Sequence, residues 1–464
     1  MSVQRFATAA LCALFLAVSA TAHAAPWDDA KGRTTDIDAL HAFMKATHPD
    51  LYHHTKQAEM DAYVATFRRD AVNMSWPRYV MGVYRMIRLV GDGHTAIFPF
   101  PDAGPGFDTR IPVLTEAFAD GLYIIAADTP YQGAVGGKVT AINGKPAADI
   151  VRTLTEYWPH ENEMWVVRWL PTMLRRPGYL HGAGLATGDV TAAVTFTIAG
   201  KDGARRDIAV TPIAASDDEA HQKAWTRVRN ESKLTKPTPL HGVDTPFGFH
   251  HLKDRKAVYA VYRQSDDSEA ETVAAFAARL FKYVDENPID RLIIDIRENG
   301  GGNNYKNQAL LLAMIKARKI DRPGHLFILT GRQTFSAAQN FANQAERWTQ
   351  ALFVGEPTGS SPNHFGDAKQ FELPATKLAV IVATLRWQDS DPKDTRIWIR
   401  PDIVARDTFA DYTAGRDTAL EAALAYRLPG DFKETDPVEH WQSLNQWTKT
   451  GDTYAPRNDF PFAW

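Results

Sequence analysis

Arg291-Leu-Ile-Ile-Asp-Ile-Arg297, followed by Glu298-Asn299-Gly300-Gly301-Gly302, is an apolar, β-branched run that stops at three consecutive glycines. The run is short enough to be a buried strand. The glycines let the backbone reach φ > 0 and leave amide N–H groups uncovered. A second unit of the same kind follows: His325-Leu-Phe-Ile-Leu-Thr330, then Gly331-Arg-Gln-Thr334-Phe335-Ser336-Ala337-Ala338. After Ser336 the apolar spacing becomes helical, through Phe341, Ala342 and Ala345. A serine at a strand-to-helix turn sits at the positive end of the helix, among bare amides. Acyl transfer needs a nucleophile beside N–H donors that can hold a developing oxyanion. Alone, Ser336 would read as an ordinary N-cap. The two turns together point to chemistry.

Around this pair, strand and helix patterns alternate. Ala257 to Tyr262, Leu292 to Ile296, Leu326 to Leu329 and Ala351 to Val354 read as strands, with helical segments between them. That alternation predicts an α/β core over 251–428 with a mainly parallel sheet covered by helices. The β-rich stretch Lys369 to Leu385 is expected to complete it, and Asp417 is a candidate N-cap for a closing helix. Upstream, 33–100 reads as a helical unit with Asp36 as an N-cap, ending in Gly91-Asp92-Gly93-His94-Thr95. Residues 101–212 read as a β-rich module with a helical insertion from Glu161 to Leu180 and an Asn143-Gly144 turn. Residues 213–250 are charged and Pro-punctuated and read as a linker. An acidic, Trp-rich extension covers 429–464.

The 464 residues are 44% hydrophobic, enough for two or three domains. The balance of 52 Lys+Arg against 55 Asp+Glu leaves a net charge of −3, so bulk electrostatics favour neither a nucleic acid nor a membrane surface as partner. Arg5, the apolar run Phe6 to Ala20 and Ala22-His23-Ala24 form a secretory-signal pattern over 1–24. Cleavage after Ala24 is expected, giving a periplasmic or secreted protein with no membrane insertion. Cys12, the one cysteine, lies within that signal, so any nucleophile of the mature chain is an oxygen or a nitrogen. Phosphate-loop, dinucleotide, His-Glu-x-x-His and Gly-x-Ser-x-Gly patterns are absent. No metal or cofactor is expected, and His53-His54 reads as part of a solvated loop.

Four motifs occur in order: Gly91-Asp92-Gly93-His94-Thr95, Asp295-Ile-Arg297-Glu-Asn299-Gly300-Gly301-Gly302, Thr334-Phe-Ser336-Ala337-Ala338 and Val354-Gly355-Glu356-Pro-Thr358-Gly359. Together the chain resembles the C-terminal processing (tail-specific) serine peptidase family, over roughly residues 40 to 405. The resemblance implies a crotonase-like (ClpP/crotonase) α/β core and a degenerate PDZ-like module within the β-rich region. It implies Ser336 as nucleophile, with an oxyanion hole from the Ala337 N–H and the Gly301 and Gly302 backbone. Tail-specific members carry a lysine after the Val-Gly-Glu-x-Thr motif, where this chain reads Thr358-Gly359-Ser360-Ser361-Pro362. That departure argues against a Ser–Lys dyad and aligns the chain with the tricorn-like and retinoid-binding-protein-like branch, with His94 as general base. His364 is the rival base. By the same resemblance Asp394 is the acid expected to orient the base, with Glu356 as the alternative.

The expected activity is hydrolysis of a peptide or protein substrate, without cofactor. Two alternatives stay open: a non-catalytic periplasmic ligand- or peptide-binding protein on the same fold, and a hydrolase of other esters or amides. Cleavage preference and oligomeric state leave no mark in the sequence.

Overall fold

The computed structural model describes residues 25–200, 203–228 and 245–428. The expected signal peptide and the C-terminal extension lie outside the described residues, as does part of the expected linker. The architecture is mixed α/β, with several sheets.

The largest parallel arrangement is a six-stranded sheet, in the order Phe247–Leu252, Ala257–Tyr262, Arg291–Asp295, Leu326–Thr330, Leu352–Gly355, Ile403–Val404. The first pair is antiparallel and the remaining pairs are parallel. Its central strands are buried on both faces, which is why they read as continuous apolar runs rather than alternating ones. Leu292, Ile294 and Ile328 share a cluster with the helices Val273–Glu286, Asn307–Lys316 and Ala337–Trp348. Tyr259, Ile293, Phe327 and Leu329 face the opposite way, against Thr418–Ala425. Asp417 caps that closing helix through the Leu420 N–H.

Before this sheet come the helices Gly32–Thr47, Gln57–Asp70 and Trp76–Arg88. The third has Pro77 in its first turn and buries Tyr79, Val83, Met86 and Ile87 along one stripe. A separate antiparallel sheet follows, built on Val113–Phe118, Gly121–Ala127, Lys138–Ile142, Val194–Ala199 and Arg205–Val210. Asn143 and Gly144 both adopt positive φ in a two-residue turn, pairing Ile142 with Lys145. The helical insertion is two helices, Glu163–Leu174 and Pro177–Gly182.

Two stretches differ from the sequence reading. Residues 213–228, expected as the start of a linker, are folded: Ile213–Ala214 pairs with Thr109–Arg110, and Thr226–Arg227 extends the antiparallel sheet beside Gly121–Ala127. The β-rich stretch after residue 369 leaves the core sheet altogether. Lys369–Glu372 pairs with Ala379–Val382, which pairs in turn with Ala96–Ile97 just beyond His94. Strand propensity was readable there, but the partner was some 280 positions away. Asp36, read as an N-cap, lies inside a helix that already begins at Gly32. Its buried carboxylate accepts from the N–H groups of Ala375 (2.7 Å) and Thr376 (2.9 Å) and from the Thr376 hydroxyl (2.5 Å). This clamp and the 96–97 strand tie the helical unit to the arm that reaches back from the core.

Candidate active site

The two glycine- and serine-bearing turns are stitched side by side at the ends of adjacent strands. The Phe335 N–H donates to the Asn299 carbonyl (3.2 Å), the Thr334 hydroxyl to the Ile296 carbonyl (2.9 Å) and the Gln333 amide to the Glu298 carbonyl (2.8 Å). Arg297 braces the base of the glycine turn, with ion pairs to Asp295 (2.6 Å) and Asp417 (2.7 Å).

Ser336 adopts φ 55° and ψ −126° at the start of helix Ala337–Trp348, and its side chain makes no capping hydrogen bond. An ordinary capping serine is extended and bonds back to the helix. A non-glycine residue in this region is strained by roughly 1–3 kcal/mol, and such strain collects where a side chain must be presented at a sharp strand-to-helix turn. The Ser336 N–H faces the Ser360 hydroxyl at 3.4 Å. Ala337 opens the helix, so its N–H has no acceptor within it.

Of the three glycines, Gly300 lines the cavity in front of Ser336. Of Gly301 and Gly302, the expected oxyanion donors, Gly301 is engaged elsewhere. The Gly301 N–H donates to Asn299 Oδ1 (2.9 Å) and its carbonyl accepts from Ser265 (2.9 Å). Gly302 backs onto Ser265, where a β-carbon would come within 2.7 Å of the carbonyl oxygen.

His94 lines the same cavity as Ser336. Its turn is fixed by Asp92, whose buried carboxylate accepts from the N–H groups of His94 (2.7 Å) and Thr95 (2.5 Å) and from His48 Nε2 (3.0 Å). Burial opposes ionisation of Asp92, yet its hydrogen bond to His48 and the surrounding charge hold it below the usual carboxylate range. The His94 ring stacks on Phe335 (4.5 Å between centroids) and His364 (5.6 Å), while Trp165 covers the far side of Phe335 at 3.8 Å. Both His94 ring nitrogens are buried without a hydrogen-bond partner among the described residues. Burial pushes the imidazole down to about 4, against the opposing charges of Asp92 and Asp367. The ring is therefore neutral at pH 7.

His364, the rival, donates from Nδ1 to the Ser361 carbonyl (3.2 Å), and burial pushes it down to about 3. It does not line the cavity. Asp394 is not brought to His94. Its carboxylate is held by Arg396 (2.8 Å) and the Ser390 hydroxyl (2.5 Å), because Arg396 lies half-buried between it and Glu346 and pairs with both. Glu356 is likewise committed, to Arg332 (3.0 Å) and Arg406 (3.1 Å).

A second carboxyl at the histidine turn is one the sequence did not single out. Glu161 Oε1 accepts from the Gly93 N–H (3.1 Å), and its Oε2 is buried beside Ser360 and Ser361. Burial, followed by the charge of Asp92, pushes this carboxyl up to about 8, with Ser360 and Ser361 opposing. Among the described residues no group of three His, Cys, Asp or Glu side chains is arranged to hold a metal ion.

The cavity measures about 360 Å³ and is walled by Phe98, Phe100, Trp158, Trp165 and Trp169. Trp165 and Trp169 come from helix Glu163–Leu174, whose start is anchored by Asn162 reaching the carbonyls of Thr358 (3.2 Å) and Ile397 (2.6 Å).

No known family model matches the chain, and no curated protein does. Solved structures similar to it include two of mature CPAF. Mature CPAF complexed with lactacystin superposes with a TM-score of 0.57 at 14% identity, over 85% of this chain and 97% of its own. A second structure of mature CPAF gives 0.57 at 12% identity, over 85% and 96%. At such identity the likeness is one of fold, and it extends over nearly the whole of those chains.

Proposed function

We propose that the chain is an exported serine hydrolase of the C-terminal processing peptidase type, cutting peptide bonds with Ser336 as nucleophile and His94 as general base. The observation that carries this reading is the strained, uncapped Ser336 at a strand-to-helix turn, sharing one cavity with an unpartnered neutral histidine. The fold likeness to CPAF is consistent with it. The Ser336 hydroxyl attacks the scissile carbonyl, and the imidazole takes its proton and returns it to the leaving amine. The oxyanion is held by the Ala337 N–H with help from the glycine-turn backbone at Gly300, the Gly301 N–H being bonded to Asn299. In this reading the six-stranded unit is the crotonase-like core, and the antiparallel sheet around Gly121–Ala127 is the degenerate PDZ-like module, suited to capturing an extended peptide by strand addition.

The test is intact-mass analysis after exposure to a fluorophosphonate, with Ser336→Ala and His94→Ala alongside. A single adduct on the parent, absent from both variants, is expected. An adduct that persists in Ser336→Ala removes Ser336 from the mechanism.

One observation favours a second reading, a binding protein on the same fold. Among the described residues no carboxylate is hydrogen-bonded to the His94 ring, so the imidazole lacks the bonded acid that would hold one tautomer and stabilise its protonated form. Complete absence of adduct, with ligand bound in the aromatic cavity, is the outcome that reading requires.

A further inference from the structure

We infer that Asp92 supplies the negative charge that stabilises His94 when the ring takes the serine proton, acting across the turn rather than by a hydrogen bond to the imidazole. This deepens the hydrolase reading by naming a positioning residue. It rests on that reading only for the step at which His94 becomes charged.

Asp92 is a buried anion without a cation. Its two oxygens are spent on neutral donors: Oδ1 on the N–H groups of His94 (2.7 Å) and Thr95 (2.5 Å), Oδ2 on the Thr95 hydroxyl (3.0 Å) and His48 Nε2 (3.0 Å). His48 brings no charge. Its Nδ1 accepts from the Asp50 N–H (3.1 Å), so that nitrogen carries no proton and the ring meets Asp92 as a neutral donor. Among the described residues no lysine or arginine pairs with Asp92. Burying a charge without a counterion is expensive, and neutral hydrogen bonds return only part of that cost. The turn alone does not require it, since an asparagine oxygen could accept both backbone N–H bonds. What the carboxylate adds is a charge, fixed beneath the backbone of His94.

That charge reaches the ring. Burial lowers the imidazole, and Asp92 is the foremost charge opposing it, ahead of Asp367. The other groups facing His94 leave the role to Asp92. Glu161, before helix Glu163–Leu174, is pushed up by burial to about 8 and is neutral at pH 7. His364, on the strand Asn363–Gly366, is pushed down by burial to about 3 and is neutral as well. Asp367, just beyond that strand, is exposed and accepts from Trp387 Nε1 (2.8 Å), so water and salt screen it. The imidazolium formed on proton transfer therefore completes an ion pair of which one half is already in place.

The experiment follows His94 in the full chain by NMR of the histidine-labelled protein, assigned with His94→Ala, with fluorophosphonate labelling alongside. At pH 4 the parent ring should be about half charged, given its midpoint of about 4. Asp92→Asn should lower that midpoint by about one unit, leaving about one ring in ten charged at the same pH, and should slow labelling at pH 7 about tenfold. Asp92→Glu restores the charge and should return the midpoint toward the parent's, even where the longer side chain lowers stability. Unfolded molecules are counted separately, because their histidines titrate at about 6.5. A merely structural Asp92 would lower stability and leave the folded midpoint unmoved, and that result overturns the assignment. Should Asp92→Asn not fold, carbon NMR of the Asp92 carboxyl in the parent decides: an ionised group at pH 6 supports the assignment and a protonated one overturns it. The titration needs no turnover. Failure of the fluorophosphonate reaction would remove the hydrolase reading and leave the His94 shift in place, whereas an unmoved His94 with labelling intact would do the reverse.

Discussion

A β-carbon placed on Gly301 would lie 2.7 Å from the β-carbon of Ser336 and 3.0 Å from the Ala337 nitrogen. The glycine turn is packed against the serine turn with no room for a methyl group, and Gly301 itself sits at φ 108°, where side chains are strained. Gly301→Ala should cost about 1–3 kcal/mol in stability. A shift of the nucleophile by a fraction of an ångström should also slow fluorophosphonate labelling by roughly 100-fold. Gly300→Ala is the control, since its β-carbon would meet only the Gln333 amide at 3.9 Å. Urea melts and labelling rates on both variants separate the effects, and equal labelling of the two would deny the packing any role.

The depressed imidazole of His94 sets a pH profile. Its folded value of about 4 lies below the ordinary 6.5 because burial disfavours the charged ring. The base is thus already free through the neutral range, and the labelling rate should decline only below pH ~5, with its midpoint near 4. The folded state binds fewer protons than the unfolded chain between about 4 and 6.5, so His94 also withdraws stability as pH falls through that window. Labelling rates corrected for the folded fraction test this. A midpoint near 6.5 would mean that the ring is solvated or paired with a carboxylate.

The parallel sheet was legible because both of its faces are buried, which turns strands such as Arg291–Asp295 and Leu326–Thr330 into unbroken apolar runs. The serine turn was legible because glycines and Phe-Ser-Ala-Ala stand at the ends of those runs. Asp36 was not, since its partners at 375 and 376 lie 339 and 340 positions away. A local capping pattern was the only reading available to it. The cavity had one overlooked signal: Trp165, Arg168 and Trp169 fall at i, i+3 and i+4, a single helix face on which an arginine sits between tryptophans. Glu161 had none. Its role depends on the Gly93 amide, 68 positions earlier in the chain.

Glu161 should hold its proton at neutral pH, since burial pushes it up to about 8. Its carboxylic C=O stretch should be visible by infrared difference spectroscopy at pH 7, disappear as pH rises through 8, and be missing in Glu161→Gln. Between 4.5 and about 8 the folded state binds the extra proton, so stability should fall with rising pH and level off above 8. Glu161→Gln should flatten that slope. A carboxylate already ionised at pH 6 would rule out the buried, proton-bearing state.

Asp394 and Glu161 make opposite predictions about the histidine. Asp394 is spent on the half-buried Arg396, which it shares with Glu346. Removing one acid from a buried pair leaves an undercompensated cation, and Asp394→Ala should cost about 3–5 kcal/mol. Because that carboxylate does not touch His94, the labelling rate per folded molecule should stay within about twofold of the parent. Glu161→Ala removes the acceptor of the Gly93 N–H beside the base and should alter the labelling rate more than the melting temperature. Calorimetry and labelling on the two variants decide between them. If Asp394→Ala left stability unchanged but abolished labelling, Asp394 would be the orienting acid after all, reached through a rearrangement of Arg396.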